Sequence, residues 1–173
     1  LPYNFSRSGH DGQNYYIAHW YPKPAVFDKK GWHPLAMLEQ GEFYSEFGNY
    51  EVNITLPENY AVAATGELQN EEEKNWLKSR AFFKWEPKSE KIKEKGVTKT
   101  IVHQFPESSS KIKSLSYKQS NVHDFAWFAD KDFVVQYDTV QLSTGKVIDA
   151  FSYYHNKENT IWENSIDYVK DGV

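Results

Sequence analysis

The sequence contains no cysteine among its 173 residues. Without cysteine there is no disulfide framework, no thiolate ligand for a zinc ion and no cysteine nucleophile. This absence fits both the cytosol and the bacterial periplasm. Methionine is scarce as well, since the only one is Met37, and the first residue is Leu1. We therefore expect a chain that has been processed or cut from a longer one.

The motifs of common catalytic sites are also missing. The histidines contain no H-E-x-x-H motif, and no two of them lie four residues apart. They are His10, His19, His33, His103, His123 and His155. There is no G-x-S-x-G motif around a serine, and no glycine-rich loop that would bind phosphate between a strand and a helix. The residues alone therefore predict a domain without a catalytic constellation.

One enzymatic alternative stays open in the segment GEFYSEFGNYE, where Glu42, Glu46 and Glu51 flank aromatic residues. Two carboxylates at a suitable separation could serve as the acid pair of a glycoside hydrolase. The simpler interpretation, which we adopt, is a loop at a sheet edge with solvated carboxylates.

The charge is nearly balanced, with 20 basic and 24 acidic residues and a net charge of −4. A mild negative charge gives no electrostatic reason to expect nucleic acid or an anionic membrane as a partner. No apolar run is long enough to span a bilayer. The lysine-rich run within residues 71–98 is interpreted as a solvated surface.

Short alternating runs rich in aromatic and β-branched residues indicate strands. Residues 50–56 alternate apolar and polar side chains, 57–59 form a turn signal, and 60–65 form a second run, which predicts a hairpin. A change of phase near residue 138 suggests a β-bulge. The predicted fold class is all-β, an antiparallel β-sandwich or saddle over residues 1–156.

Two segments depart from that pattern. Residues 71–98 form a polar insertion, in which we expect a short helix followed by a charged, mobile linker. Residues 157–173 predict one C-terminal amphipathic helix. Its apolar face carries Ile161, Trp162, Ser165, Ile166 and Val169. A short amphipathic helix needs another surface to cover its apolar face, so we expect this helix to be the start of a second domain. The same apolar face could also pair with that of a second copy of the chain to form a dimer.

Three stretches are distinctive in combination: HWYPKPAVFD at 19–28, GEFYSEFGNYEVNITLPENYAVAATGELQN at 41–70, and NVHDFAWFADKDFVV followed by KVIDAFSYYHN and ENTIWENSIDYV. Together they resemble the N-terminal domain of aminopeptidase N and leukotriene hydrolase-type zinc metallopeptidases. The resemblance covers about residues 15–173, and the Trp-Tyr-Pro-Lys and Val-His-Asp-Phe-Ala-Trp forms are similar to bacterial, Bacteroidetes-type members.

The resemblance implies a non-catalytic β domain that caps the active site of a zinc aminopeptidase and helps to position the N-terminus of a peptide. Zinc and its ligands would belong to a catalytic domain absent from this chain, so no cofactor and no catalytic residue is expected here. The implied partners are that catalytic domain and the peptide, and the implied location is the periplasm or cell envelope of a bacterium.

The same resemblance suggests which residues line the substrate. In this family a polar residue before the stretch that HWYPKPAVFD resembles, often written W-F-P, usually helps to hold the α-amino group of the substrate, and the nearby candidates are Gln13 and His19. The residues expected to line the substrate are Gln13, His19, Trp20, Glu42 and Tyr44.

Two other functions remain as alternatives. Exposed tryptophan and tyrosine rings could stack on sugars, as in a carbohydrate-binding β-sandwich. A free-standing interaction domain is the other. An apolar groove along the terminal helix would favour the peptidase domain, and a flat row of exposed rings would favour carbohydrate.

We expect the purified chain to be catalytically inert, because it carries no metal-ligand set and no activated nucleophile. Assays of amide and ester hydrolysis with added zinc should show only background rates. Hydrolysis that disappears on replacing any one of the histidines would contradict this prediction.

Overall fold

The structure is a computed structural model that describes residue 3 and residues 7–35, 44–155 and 159–173. Strands account for 50% of the described residues and helices for 14%, with antiparallel sheets, which confirms the predicted all-β fold class. No helix among the described residues is long and apolar enough to cross a membrane.

The strands follow the turn signals of the sequence. In chain order they are β1 (Ser8–Asp11), β2 (Asn14–Ile17), β3 (Val26–Asp28), β4 (Gly31–His33), β5 (Gly48–Pro57), β6 (Ala61–Ala64), β7 (Glu67–Leu68), β8 (Lys88–Glu94), β9 (Val97–His103), β10 (Ile112–Val122), β11 (Trp127–Asp130), β12 (Phe133–Gln141) and β13 (Val147–His155). The helices are α1 (Glu71–Ser79), a 3-10 turn (Arg80–Phe82), α2 (Asn159–Trp162) and α3 (Ser165–Asp171).

The chain divides into two compact units, each assembled from separate segments. Unit 1 comprises Leu1–Thr55, Val62–Gln69 and Ser114–Ala129. Unit 2 comprises Leu56–Ala61, Asn70–Lys113 and Asp130–Val173. The expected boundary near residue 156 stays a prediction.

Unit 1 is built from small sheets around an apolar core. One sheet has the order β1-β2-β11-β6, a second β5-β10-β7, and β3 pairs with β4 alone. The fully or nearly buried side chains here include Ile17, Val26, Ile54, Val62, Leu115 and Phe125. Gly66 follows β6 with a φ of +93°, and a Cβ there would lie 2.8 Å from Lys118 O. Only glycine fits this turn without displacing the neighbouring strand.

Unit 2 packs helices on a long hairpin. β12 and β13 pair antiparallel from Phe133↔His155 to Gln141↔Val147, and α1, the 3-10 turn and α3 contact them. The register is continuous over all nine pairs, so the bulge expected near residue 138 is absent. The change of phase in the sequence has another cause: the side chains of β12 become more exposed along the strand, from the buried Phe133–Val135 to the exposed Gln141.

Buried charges hold α1 to this hairpin. The Arg80 side chain donates from Nη2 to Lys131 O at 2.8 Å and to Phe133 O at 2.7 Å, and from Nε to Phe133 O at 2.9 Å. The rings of Trp76 and Phe83 lie 4.9 and 3.7 Å from its guanidinium carbon. Burial lowers the pKa of Arg80 to about 10, so the group remains charged at neutral pH. It therefore ties the 3-10 turn to the backbone carbonyls of Lys131 and Phe133.

A buried ion pair lies beside this arginine. Lys113 Nζ is 2.6 Å from Glu73 Oε1 and 3.9 Å from the centre of the Trp76 ring. Burial raises the pKa of Glu73 and lowers that of Lys113, against the mutual attraction of the two charges. A buried pair of this kind fixes geometry more than it adds stability.

Two predictions from the sequence are wrong because the strands pair differently from what was expected: the hairpin over residues 50–65 and the charged linker within residues 71–98. The turn at 57–59 is present, with Tyr60 N donating to Pro57 O, but β5 and β6 belong to different sheets and form no hairpin. The charged linker expected after α1 is instead the hairpin β8–β9, paired from Lys88↔His103 to Glu94↔Val97. Its turn residues Lys95 and Gly96 both have positive φ, the geometry of a tight two-residue hairpin.

The C-terminal segment is two short helices rather than one. α3 rests on β12 and β13, where Ser165 is buried and hydrogen-bonds Ser152, and Gln136 Oε1 accepts from Ile166 N at 3.2 Å. On α2, Ile161 and Trp162 are 73% and 46% exposed. The predicted apolar face of the C-terminal helix is thus divided between two elements. α3 packs within unit 2, whereas the side chains of Ile161 and Trp162 on α2 are exposed to solvent.

Replacing Arg80 with Met should lower the free energy of unfolding by about 3 kcal/mol, because two buried carbonyls lose their donor. Urea denaturation measures the change, and Arg80→Lys should recover part of it. Lys84→Met, at an exposed position, is the control and should stay within about 0.5 kcal/mol. Equal stability of Arg80→Met and the parent would show that the guanidinium adds nothing.

Candidate functional site

Unit 1 contains a cleft of about 400 Å³, within the usual range for small-ligand sites. Its polar lining consists of His19, Tyr21, Lys23, His33 and Tyr44. Apolar surface is contributed by Pro24, Ala25, Pro34 and Leu35. The cleft therefore combines prolines and aliphatic carbons with a few hydrogen-bonding groups.

One wall is the segment that leaves β2. His19 has a φ of +52°, which turns the chain sharply after the strand. Trp20 Nε1 donates to Phe125 O at 2.9 Å and fastens the segment to the body of unit 1. The two prolines that follow, Pro22 and Pro24, prevent a further strand. Tyr21 and Lys23 are thereby held in the lining.

Asp124 organises that wall. Its Oδ1 accepts from the Tyr21 hydroxyl at 3.0 Å and lies 3.0 Å from Lys23 Nζ, while its Oδ2 is 3.2 Å from His19 Nδ1. Phe125 N donates to the same carboxylate at 2.7 Å. Burial opposes the charge, but the hydrogen bonds from Lys23, Phe125 N and Tyr21 prevail and lower the pKa of Asp124.

Tyr21 extends this network to β5. Its hydroxyl also hydrogen-bonds the Tyr50 hydroxyl at 2.8 Å, and the two rings meet edge to face. Burial and the hydrogen bonds with Tyr50 and Asp124 raise the pKa of Tyr21. The phenol therefore remains neutral at every physiological pH and acts here as a fixed hydrogen-bond group.

The opposite wall comes from β3, β4 and the strand entry before β5. His33 Nε2 is 2.9 Å from Asp28 Oδ1, which also accepts from Lys30 N at 2.8 Å. The hydrogen bond with His33 is the main cause of the lowered pKa of Asp28. The Tyr44 ring meets the His33 ring edge to face at 5.2 Å. Ser45 Oγ donates to His123 O at 2.9 Å and holds this part of the chain.

The cleft is suited to binding. Asp124 lies beside both His19 and Lys23, and Asp28 lies beside His33, so the lining is preorganised. Among the described residues, no group of three or more His, Cys, Asp or Glu side chains is placed to hold a metal ion. The lining residues that the structure describes include no serine, threonine or cysteine beside a histidine base.

The structure places the sequence-predicted site residues unevenly. His19 and Tyr44 line the same cleft from opposite walls. Trp20 supports the wall by its hydrogen bond, and Gln13 lies in the β1–β2 turn outside the lining. Glu42 lies outside the described residues. Contact of any of them with a substrate stays a prediction.

Sequence reasoning missed Tyr21, Lys23, His33 and Asp124. Three of them lie in stretches that had already been singled out, HWYPKPAVFD and NVHDFAWFADKDFVV. The contacts of Tyr21 and Lys23 with Asp124 join residues about a hundred positions apart. No pattern along the sequence predicts that these residues meet.

No family model, curated protein or solved structure matches the chain.

Replacing Asp124 with Asn should destabilise the protein by about 1–2 kcal/mol at pH 7, because Lys23 and His19 lose a partly buried charge partner. A lowered carboxyl pKa stabilises the fold above the ordinary value of about 3.9, and that contribution disappears as pH falls through the folded pKa. The parent and variant should therefore converge below about pH 4.

Thermal unfolding from pH 3 to pH 7 measures this convergence. Asp149→Asn is the matched control, since Asp149 is exposed and its carboxylate accepts a hydrogen bond from the Tyr137 hydroxyl. A difference between Asp124→Asn and the parent that persisted unchanged at pH 3 would contradict the assigned role of the charge.

Proposed function

We propose that this chain is the non-catalytic N-terminal β domain of a zinc-dependent aminopeptidase. In this role it caps the active site of a separate catalytic domain and helps to position the N-terminal end of a peptide. The zinc and the residues that activate water belong to that catalytic domain. Its β-rich fold suits this proposal but is shared by many proteins with other functions.

The observation that carries the proposal is the cleft in unit 1. His19 comes from the W-Y-P stretch and Tyr44 from the G-E-F-Y stretch, two of the three segments on which the family resemblance rests. Both side chains line one preorganised cleft. Its volume and its mixture of proline, aromatic and hydrogen-bonding groups suit the end of a short peptide.

The C-terminal segment gives secondary support. Ile161 and Trp162 on α2 are open, as expected of side chains that face a following domain. A dimer through the same surface remains part of the proposal. Carbohydrate binding gains no comparable support, because the exposed Phe27 and Trp32 rings are tilted by 57° and do not form a flat row.

The test is a titration of the isotopically labelled chain with trialanine and with its N-acetylated form, followed by backbone NMR. We expect weak, saturable shifts around His19, His33 and Tyr44 that are larger for the free amine. The double variant His19→Ala, Tyr44→Ala should lose them. His103→Ala, in unit 2, is the control and should retain them.

Equal shifts with both peptides, or shifts away from the cleft, would overturn the peptide-terminus role. Shifts produced by cellotriose and by neither peptide would favour the carbohydrate alternative. Sequencing the reading frame downstream of Val173 tests the family assignment separately, since a zinc aminopeptidase requires an H-E-x-x-H motif followed by a further glutamate.

A further inference from the structure

The hairpin β3–β4 exposes two large aromatic side chains side by side. Phe27 and Trp32 are a cross-strand pair with ring centres 4.9 Å apart, and 63% and 67% of their surfaces are exposed. Val26, the preceding residue, is only 1% exposed and anchors the strand in the core of unit 1. The rings are therefore presented on a fixed support.

The turn of the same hairpin is basic. Lys29 and Lys30 connect the two strands, and both are exposed. The one acid in the hairpin, Asp28, is occupied by His33 Nε2 and by Lys30 N. The extremity thus combines two apolar rings with two ammonium groups, and we call these four residues (Phe27, Lys29, Lys30 and Trp32) the aromatic tip.

We propose that the aromatic tip docks this domain onto an anionic lipid surface. Aromatic side chains, tryptophan above all, favour the boundary between headgroups and acyl chains. Lysines beside them are attracted to anionic headgroups, and their aliphatic stems can lie along apolar surface. The hairpin would insert its two rings to headgroup depth and would leave the rest of the domain in water.

The size of the tip argues against a protein partner. Aromatic side chains contribute about 150–250 Å² each, so the exposed parts of these two amount to roughly 250–300 Å². A stable protein interface buries about 800 Å² on each partner. This exposed pair of rings falls well short of that area but is sufficient to enter a lipid interface.

The overall charge of −4 does not oppose this docking. At physiological ionic strength the Debye length is about 8 Å, so a membrane senses mainly the charges next to it. In the hairpin those charges are Lys29 and Lys30 against the single carboxylate of Asp28, so the turn is net positive. Reversing the two lysines would make the turn negative, so binding to anionic lipid should weaken steeply.

Vesicle sedimentation of the purified chain tests the proposal, with vesicles of phosphatidylcholine alone or of equimolar phosphatidylcholine and phosphatidylserine. We expect binding to the anionic vesicles and at least about tenfold weaker binding to the neutral ones. Phe27→Ser with Trp32→Ser should lower the affinity at least about tenfold. Lys29→Glu with Lys30→Glu should do the same and should remove the salt dependence.

Matched controls come from unit 2. Phe82, 92% exposed, is changed to Ser as the aromatic control, and Lys93→Glu with Lys95→Glu is the charge control at another basic hairpin turn. Both should bind vesicles like the parent. The changed side chains are exposed in every variant, so thermal unfolding should match the parent and confirm that each variant is folded.

Four results would overturn the proposal. They are absence of vesicle binding by the parent, equal binding to neutral and anionic vesicles, unchanged binding of the two tip variants, and equal losses in the unit 2 controls. A concentration-dependent dimer in sedimentation velocity that the Phe27→Ser, Trp32→Ser variant abolishes would assign the tip to a second copy of the chain instead.

Discussion

The carboxylate of Asp124 is the interaction on which the cleft depends. It receives a histidine, a lysine, a tyrosine hydroxyl and a backbone amide, and these come from the segment after β2 and from its own loop. That segment has two prolines and no strand partners of its own, so its backbone has few other contacts that could fix it. Because one anion accepts from several donors, the side chains that line the wall are placed together rather than one by one.

Unit 2 also depends on hydrogen-bonded charged side chains, which there hold a helix against a hairpin. A helix rich in Glu and Lys must pack on a hairpin whose first strand is apolar, and its few apolar side chains, led by Leu77, cover little area. Arg80 and the Glu73–Lys113 pair fill the remaining space, with the rings of Trp76 and Phe83 shielding their charges. The desolvation of Arg80 is offset by its hydrogen bonds to Lys131 O and Phe133 O at the start of β12, and that of Lys113 and Glu73 by their hydrogen bond to each other.

The two recognition surfaces proposed in unit 1 are physically distinct although they share the hairpin β3–β4. The cleft uses the inner side chain His33 and is concave and preorganised, as a site for a small ligand should be. The aromatic tip uses Phe27 and Trp32, which alternate with the inner residues along the strands and so project to the other face. Successive side chains of a strand point to opposite faces. One hairpin of two three-residue strands can therefore contribute to the cleft with one face and to the aromatic tip with the other.

Local sequence patterns by themselves determined the all-β class, the strands near 50–56 and 60–65, and the helical nature of 71–79 and of the C-terminal segment. These depend on local periodicity and turn chemistry, which are properties of neighbouring residues. Tertiary structure alone decided that β5 pairs with β10 rather than with β6, that the Lys95–Gly96 turn closes a hairpin, and that His19, Lys23 and Tyr21 converge on Asp124. Pairing between distant segments is set by the summed packing and desolvation of the whole unit, and a linear pattern carries no measure of that sum.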